Sequence, residues 1–183
     1  MAVIFYSMSG EGRGHATRVS AMVEALRHEH EIVLFAPGDA YDLLAPRYAD
    51  SSVEIHRIPG LRFHYSRSES LDFWATTFET VGYLRQSARL INRLERQMHL
   101  REPDLAITDF EPALPRAAAR CGVPFVSLDH QHFLVENDLS CLPPWLRLWA
   151  SGMGLVVSAF FQGRPAPLFR PSITRRCGIQ TVR

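Results

Sequence analysis

A chain of 183 residues with 46% hydrophobic and 21% charged side chains holds enough apolar material for a buried core, and too much for a disordered polypeptide. Its net charge of +1 excludes a global electrostatic pull toward nucleic acid. Three widely spaced cysteines, Cys121, Cys141 and Cys177, make neither a disulfide framework nor a zinc knuckle, and read as reduced thiols of a cytoplasmic protein.

The N-terminus, MAVIFYSMSGEGRGH, has no basic lead, and its apolar run breaks after a few residues. It therefore reads as a first strand, Ala2 to Met8, and not as a signal peptide. The run is nearly unbroken, as expected of a central strand covered on both faces. Gly-rich residues 9–14 follow, then a helix near Ala16 to His28 with Val19, Met22, Val23 and Leu26 on one face. His30 to Ala36 is a second strand, closed by Pro37-Gly38. Asp39 is placed to cap a short helix carrying Tyr41, Leu43 and Leu44. The alternation of Val53 to Ile58 describes a strand near the sheet edge.

A polar, basic loop over residues 60–70 precedes a long helix from Leu71 to Arg101. Its apolar stripe is Trp74, Phe78, Val81, Leu84, Ala88, Ile91, Leu94 and Met98. Asp104 to Thr108 is a fourth strand, followed by a helix to Arg120 that Gly122 ends, and Pro124 to Leu128 is a fifth. Strands alternating with helices imply a doubly wound, Rossmann-like α/β fold, with a parallel sheet in the order 3-2-1-4-5. In that order strands 1 and 4 are neighbours at the switch point, so the loops after them open side by side. Ligand is expected there. The longest apolar stretch, Trp145 to Phe161, is interrupted by Arg147 and falls short of the roughly 18 uncharged residues of a membrane span. A peripheral membrane contact stays open.

Gly10, Gly12 and Gly14 alternate between the first strand and its helix. Such glycines let the backbone turn tightly and offer bare N–H groups to an anion, or they serve only as a tight turn. The spacing is neither G-x-G-x-x-G nor a Walker loop. GEGRGHATR resembles the GEGxGHxxR opening of a group of glycosyltransferases, and is more distantly similar to the lipid-linked N-acetylglucosaminyltransferase of cell-wall synthesis and to UDP-glycosyltransferases. PDLAITDFEP resembles the PDxxxxD strand end of the same families, and LDHQH the end of their fifth strand. The resemblance covers roughly residues 1–160. It implies the N-terminal, acceptor-side domain of a GT-B glycosyltransferase, in which a second Rossmann-like domain holds a nucleotide-sugar donor. On the matching positions His15 lies at the reaction centre, and Asp109 supports it.

The chemistry is consistent with that assignment. Glycosyl transfer needs a base for the acceptor hydroxyl, and histidine serves near neutral pH. A carboxylate on the other ring nitrogen fixes the tautomer. Asp109 is equally well placed to cap the helix after strand 4. Glu111 reads as a second acid, an acceptor contact or a solvated loop carboxylate, and Arg62, His64 and Arg67 border the expected mouth. His130 and His132, beside Asp129, read as a polar cleft wall; as metal ligands they lack a third partner. No cofactor or metal is expected. Arg85, Arg89, Arg93 and Arg96 form a solvated row, or a site for an anionic or diphosphate-linked acceptor.

Residues 161–183 carry no apolar periodicity and read as a truncated linker or disordered tail, with no donor-binding half following. The implied partners are a donor-binding domain or chain and a sugar, lipid-linked or small-molecule acceptor, without nucleic acid. Two rival readings use the same residues. One is a non-catalytic module binding a phosphorylated or sugar ligand; the other is a small Rossmann enzyme with a nucleotide cofactor, which lacks an acidic residue closing strand 2.

Overall fold

Every residue of VIFYSM after Val3 is buried, because the strand they form, β1 (Val3–Met8), lies between two parallel neighbours and under helices on both faces. The computed structural model of the chain describes residues 1–10, 12–60, 73–128, 138–140 and 142–160, with side chains except at 12–13, 73–85 and 153–160. After β1 come α1 (Gly12–Leu26), β2 (Glu31–Pro37), α2 (Gly38–Arg47), β3 (Glu54–Ile58) and α3 (Phe73–Arg101). β4 (Leu105–Asp109), α4 (Ala113–Cys121), β5 (Phe125–Ser127) and α5 (Pro144–Phe160) complete the order. The five strands are all parallel, in the order β3-β2-β1-β4-β5.

Alternation along β1 divides the core into two halves. Ile4, Tyr6 and Met8 pack with Val19 and Val23 of α1 and Leu44 of α2. Phe5 joins Val33 and Phe35 of β2 against Leu90, Ile91, Leu94 and Met98 of α3 and Leu114 of α4. The period of two in strands and 3.6 in helices thus puts one helix pair on each face of the sheet. On α3 the inward stripe includes Ser87 and Leu90, while Ala88, expected inside, is exposed. Ala88 was a member of the i, i+3, i+4 series, but a stripe about 100° wide admits either neighbour, and packing against the sheet selects Ser87. The part of the stripe from Trp74 to Leu84 lies outside the described side chains.

Two helix starts differ from expectation. α1 begins at Gly12, four residues before Ala16. Glycine reaches helical φ/ψ without hindrance and merely loses about 0.5–1 kcal/mol against alanine there. At α2 the cap position belongs to Pro37, without a side-chain bond, and Asp39 lies in the first turn near the positive helix end. Gly122 does end α4, in the left-handed region at φ +72°.

The tips of the first three strands meet at Pro37. A Cβ on Gly10 would stand 2.8 Å from Pro37 Cγ, and one on Gly60 2.5 Å from Pro37 Cβ. At the opposite, amino edge, Asp104 accepts from the Val3 amide at 2.8 Å, and Arg101 bridges Glu31 and Glu54. Arg89, Arg93 and Arg96 are exposed on α3, and Trp145, Leu148 and Trp149 on α5. Among the described residues no helix is long and apolar enough to cross a membrane. Residues 161–183 lie outside the described part.

Candidate active site

The site begins where β1 and β4 end together. Met8 and Asp109 are register partners, and the Ser9 amide donates to the Asp109 carbonyl at 2.8 Å. After Asp109 the chain turns through Phe110, a non-glycine residue at φ +57°. Such a conformation costs of order 1 kcal/mol and persists where its surroundings over-determine it. Here they do. Thr108 Oγ1 donates to the Glu111 carbonyl at 2.7 Å and accepts from the Glu111 amide at 3.2 Å. Glu111 in turn accepts from the amides of Ala113 and Leu114 at 2.8 and 2.9 Å, satisfying the first N–H groups of α4.

Two expectations meet in this turn. The helix cap available to Asp109 is taken by Glu111 instead. Glu111 is 2% exposed, so its carboxylate is a buried element of the turn, not a solvated loop group. The left-handed residue Phe110 breaks the strand alternation that would put residues 109 and 111 on one face, and the two side chains meet different partners.

Asp109 itself is 0% exposed and faces α1. His15 Nδ1 lies 2.9 Å from its Oδ1. Arg18, three residues on and therefore on the same helix face, forks onto the same carboxylate: Nε donates to Oδ2 at 2.8 Å and Nη2 to Oδ1. An ionised carboxylate only accepts, so Nδ1 is the donor in this contact. Arg18 Nη2 is 3.2 Å from Nδ1, the spacing of two donors converging on one oxygen. The His15 side chain is 18% exposed. Beneath the pair, the Tyr6 hydroxyl is buried with no hydrogen-bond partner among the described residues. Burial, and then the Asp109 charge, push its pKa well above the ordinary tyrosine value, so it stays protonated.

Of the three glycines, Gly10 permits close approach to Pro37, and Gly12 opens α1. Gly14 is exposed on the first turn with nothing within 4 Å of a Cβ placed there. Arg62, His64, Arg67, Asp129, His130 and His132 lie outside the described residues. No group of three or more potential metal ligands exists among the described side chains. Arg18, the last residue of GEGRGHATR, is a member of the motif to which sequence reasoning gave no role. The i, i+3 spacing from His15 was the available signal, but its target is 91 residues away.

Fold and site together define a doubly wound domain with a histidine–carboxylate pair at its switch point. The sequence profile of glycosyl transferase family 1 matches residues 2–146, and the chain belongs to that family. No curated protein matches it by sequence. Among solved structures it is similar to MurG of Acinetobacter baumannii, with TM-score 0.52 and 14% identity over 88% of this chain and 40% of that one. It is also similar to UGT2 of Phytolacca americana, solved with UDP-2-fluoro-glucose and pterostilbene, with TM-score 0.52 and 18% identity over 73% of this chain and 33% of that one. A third is the glycosyltransferase SsfS6 of Streptomyces sp. SF2575, with TM-score 0.50 and 17% identity over 92% and 49%. At these identities the likeness is one of fold, the Rossmann-like sheet of GT-B glycosyltransferases. The chain spans less than half the length of each.

Proposed function

We propose that this domain is the acceptor-side half of a GT-B glycosyltransferase, with His15 as the base that activates the acceptor hydroxyl. The supporting observation is the 2.9 Å contact between His15 Nδ1 and Asp109 at the carboxyl edge, which leaves Nε2 as the acceptor of a proton. In the step proposed, the acceptor hydroxyl gives its proton to His15 Nε2 while its oxygen bonds to the anomeric carbon of the donor. The bond from that carbon to the nucleoside diphosphate breaks, and the electron pair leaves with the diphosphate. Asp109 holds the ring in one tautomer for that step.

The donor is a nucleotide-sugar, held by a second Rossmann-like domain, whichever polypeptide carries it. UGT2, of like fold, was solved with UDP-2-fluoro-glucose and pterostilbene. Glu111, buried under its cap bonds, contributes shape to this mouth and not an acid. The acceptor's remaining contacts are assigned to Arg62, His64, His130 and His132.

The test uses this domain joined to its donor-binding half. His15→Ala is expected to lower kcat by roughly 10²–10⁴-fold, the scale for loss of a general base, with little change in donor KM. Near-parental turnover would remove the base assignment. The 183 residues by themselves are expected to bind UDP-sugars weakly in calorimetric titration, and saturable micromolar binding would favour a self-contained ligand module instead.

A further inference from the structure

A carboxylate withdrawn from water requires a counter-charge. Asp109 is fully buried, and two groups of α1 reach it. One is the permanently charged guanidinium of Arg18. The other is His15, whose imidazole would supply a charge only by taking a second proton. We infer that Arg18 is the counter-ion of Asp109, a positioning residue that relieves His15 of that duty and keeps its Nε2 unprotonated at the mouth of the site.

Three features support the assignment. Arg18 uses both arms of its fork on Asp109, Nε on one oxygen and Nη2 on the other, while His15 uses a single nitrogen. Of the three described side chains, Arg18 at +1, Asp109 at −1 and a neutral His15 balance; an imidazolium would leave these three at +1. His15 also lies in the first turn of α1, where the positive end of the helix dipole opposes a second positive charge. Among the described residues, the other titratable group against the cluster is Tyr6 on β1, whose hydroxyl stays protonated and adds no charge.

The arrangement differs from a hydrolytic triad, where the carboxylate faces the imidazole without a guanidinium and favours the imidazolium. Here the carboxylate orients the ring while its charge is shared with Arg18. Only the catalytic consequence rests on His15 being the base. The protonation state does not, and it is measured without turnover.

The experiment counts the ring protons of His15 by nitrogen–proton NMR at about pH 7.5, roughly one unit above the ordinary histidine value. The parent chain should show Nδ1 protonated and Nε2 bare. In Arg18→Gln the pair should bind one more proton, on His15 Nε2 or on the Asp109 carboxyl, read from the ring and carboxyl signals. Arg18→Lys, which keeps the charge but not the fork, should not bind it. Neither should the double variant Arg18→Gln with Asp109→Asn. Two protonated ring nitrogens in the parent, or an unchanged pair in Arg18→Gln, would overturn the inference. If Arg18→Gln does not fold, the double variant decides. Recovery of folding once the buried charge is removed supports the counter-ion role, and no recovery while Asp109→Asn alone folds refutes it.

Discussion

The two turns that form the site stand side by side and are built on opposite principles. The turn after β1 has Gly10 in tight contact with Pro37, and the helix that begins almost at once carries Gly12 and Gly14 in its first turn. The turn after β4 has no glycine. It holds Phe110 at φ +57° by Thr108 bonded to both backbone groups of Glu111, and by Glu111 bonded to the first amides of α4. The first turn keeps its backbone bare for close approach; the second is rigid and fixes the buried carboxylate. His15 on the first side is thus held by an anchor on the stiff side. The fixed member of the pair is Asp109 at the end of β4, and His15 stands in the first turn of α1.

That contrast can be broken at several points. The largest effect after His15→Ala falls on Asp109→Asn, which removes the charge from the anchor. Turnover of the assembled enzyme should drop, by less than the roughly 10²–10⁴-fold of losing the base itself, because the imidazole remains. Donor KM should hold. An Asp109→Asn loss larger than that of His15→Ala would show that the carboxylate, and not the ring, is the reacting group.

Gly10→Ala tests the one tight contact of the bare turn. The new Cβ would stand 2.8 Å from a proline ring that cannot rotate away, and overpacking of this kind costs about 1–3 kcal/mol. Urea unfolding should show the loss. Unchanged stability would mean that the strand tips have room to part.

Glu111→Ala tests the stiff turn. Losing a carboxylate that satisfies two helix N-terminal amides should lower stability by about 1–2 kcal/mol in the same assay. If the turn orients Asp109, turnover should fall too, with the His15 tautomer less defined by NMR. A stability loss with an unperturbed His15 signal would separate the cap from the site.

The smallest effect has the opposite sign. Gly14 is helical and a Cβ there meets nothing, so Gly14→Ala should raise stability by about 0.5–1 kcal/mol. If the bare backbone serves ligand approach, acceptor KM should rise in the same variant. A stabilised variant with unaltered acceptor KM would make Gly14 dispensable.

Much of the layout was legible from residue order alone, since it depends on local periodicity and general connection rules. The buried run of β1, the alternation of strands and helices, the left-handed stop at Gly122 and the order 3-2-1-4-5 all follow from patterns within a few residues plus the geometry of parallel crossovers. Strand order also sufficed to set the loops of His15 and Asp109 side by side. What only the tertiary structure decided lies in choices between equivalent local options. Asp109 and Glu111 are both acidic, two residues apart, and both suited to capping α4. Their division of labour was decided by Phe110 and by what stands opposite each, α1 for one and the α4 amides for the other. Ser87 and Ala88 are adjacent on the same helix, and only contact with the sheet selected which faces inward. Arg18 resembles any helix arginine until β4, 91 residues further on, presents it with a buried carboxylate. Sequence spacing records which residues share a face; it carries no record of what that face will meet, because the partner arrives through the fold.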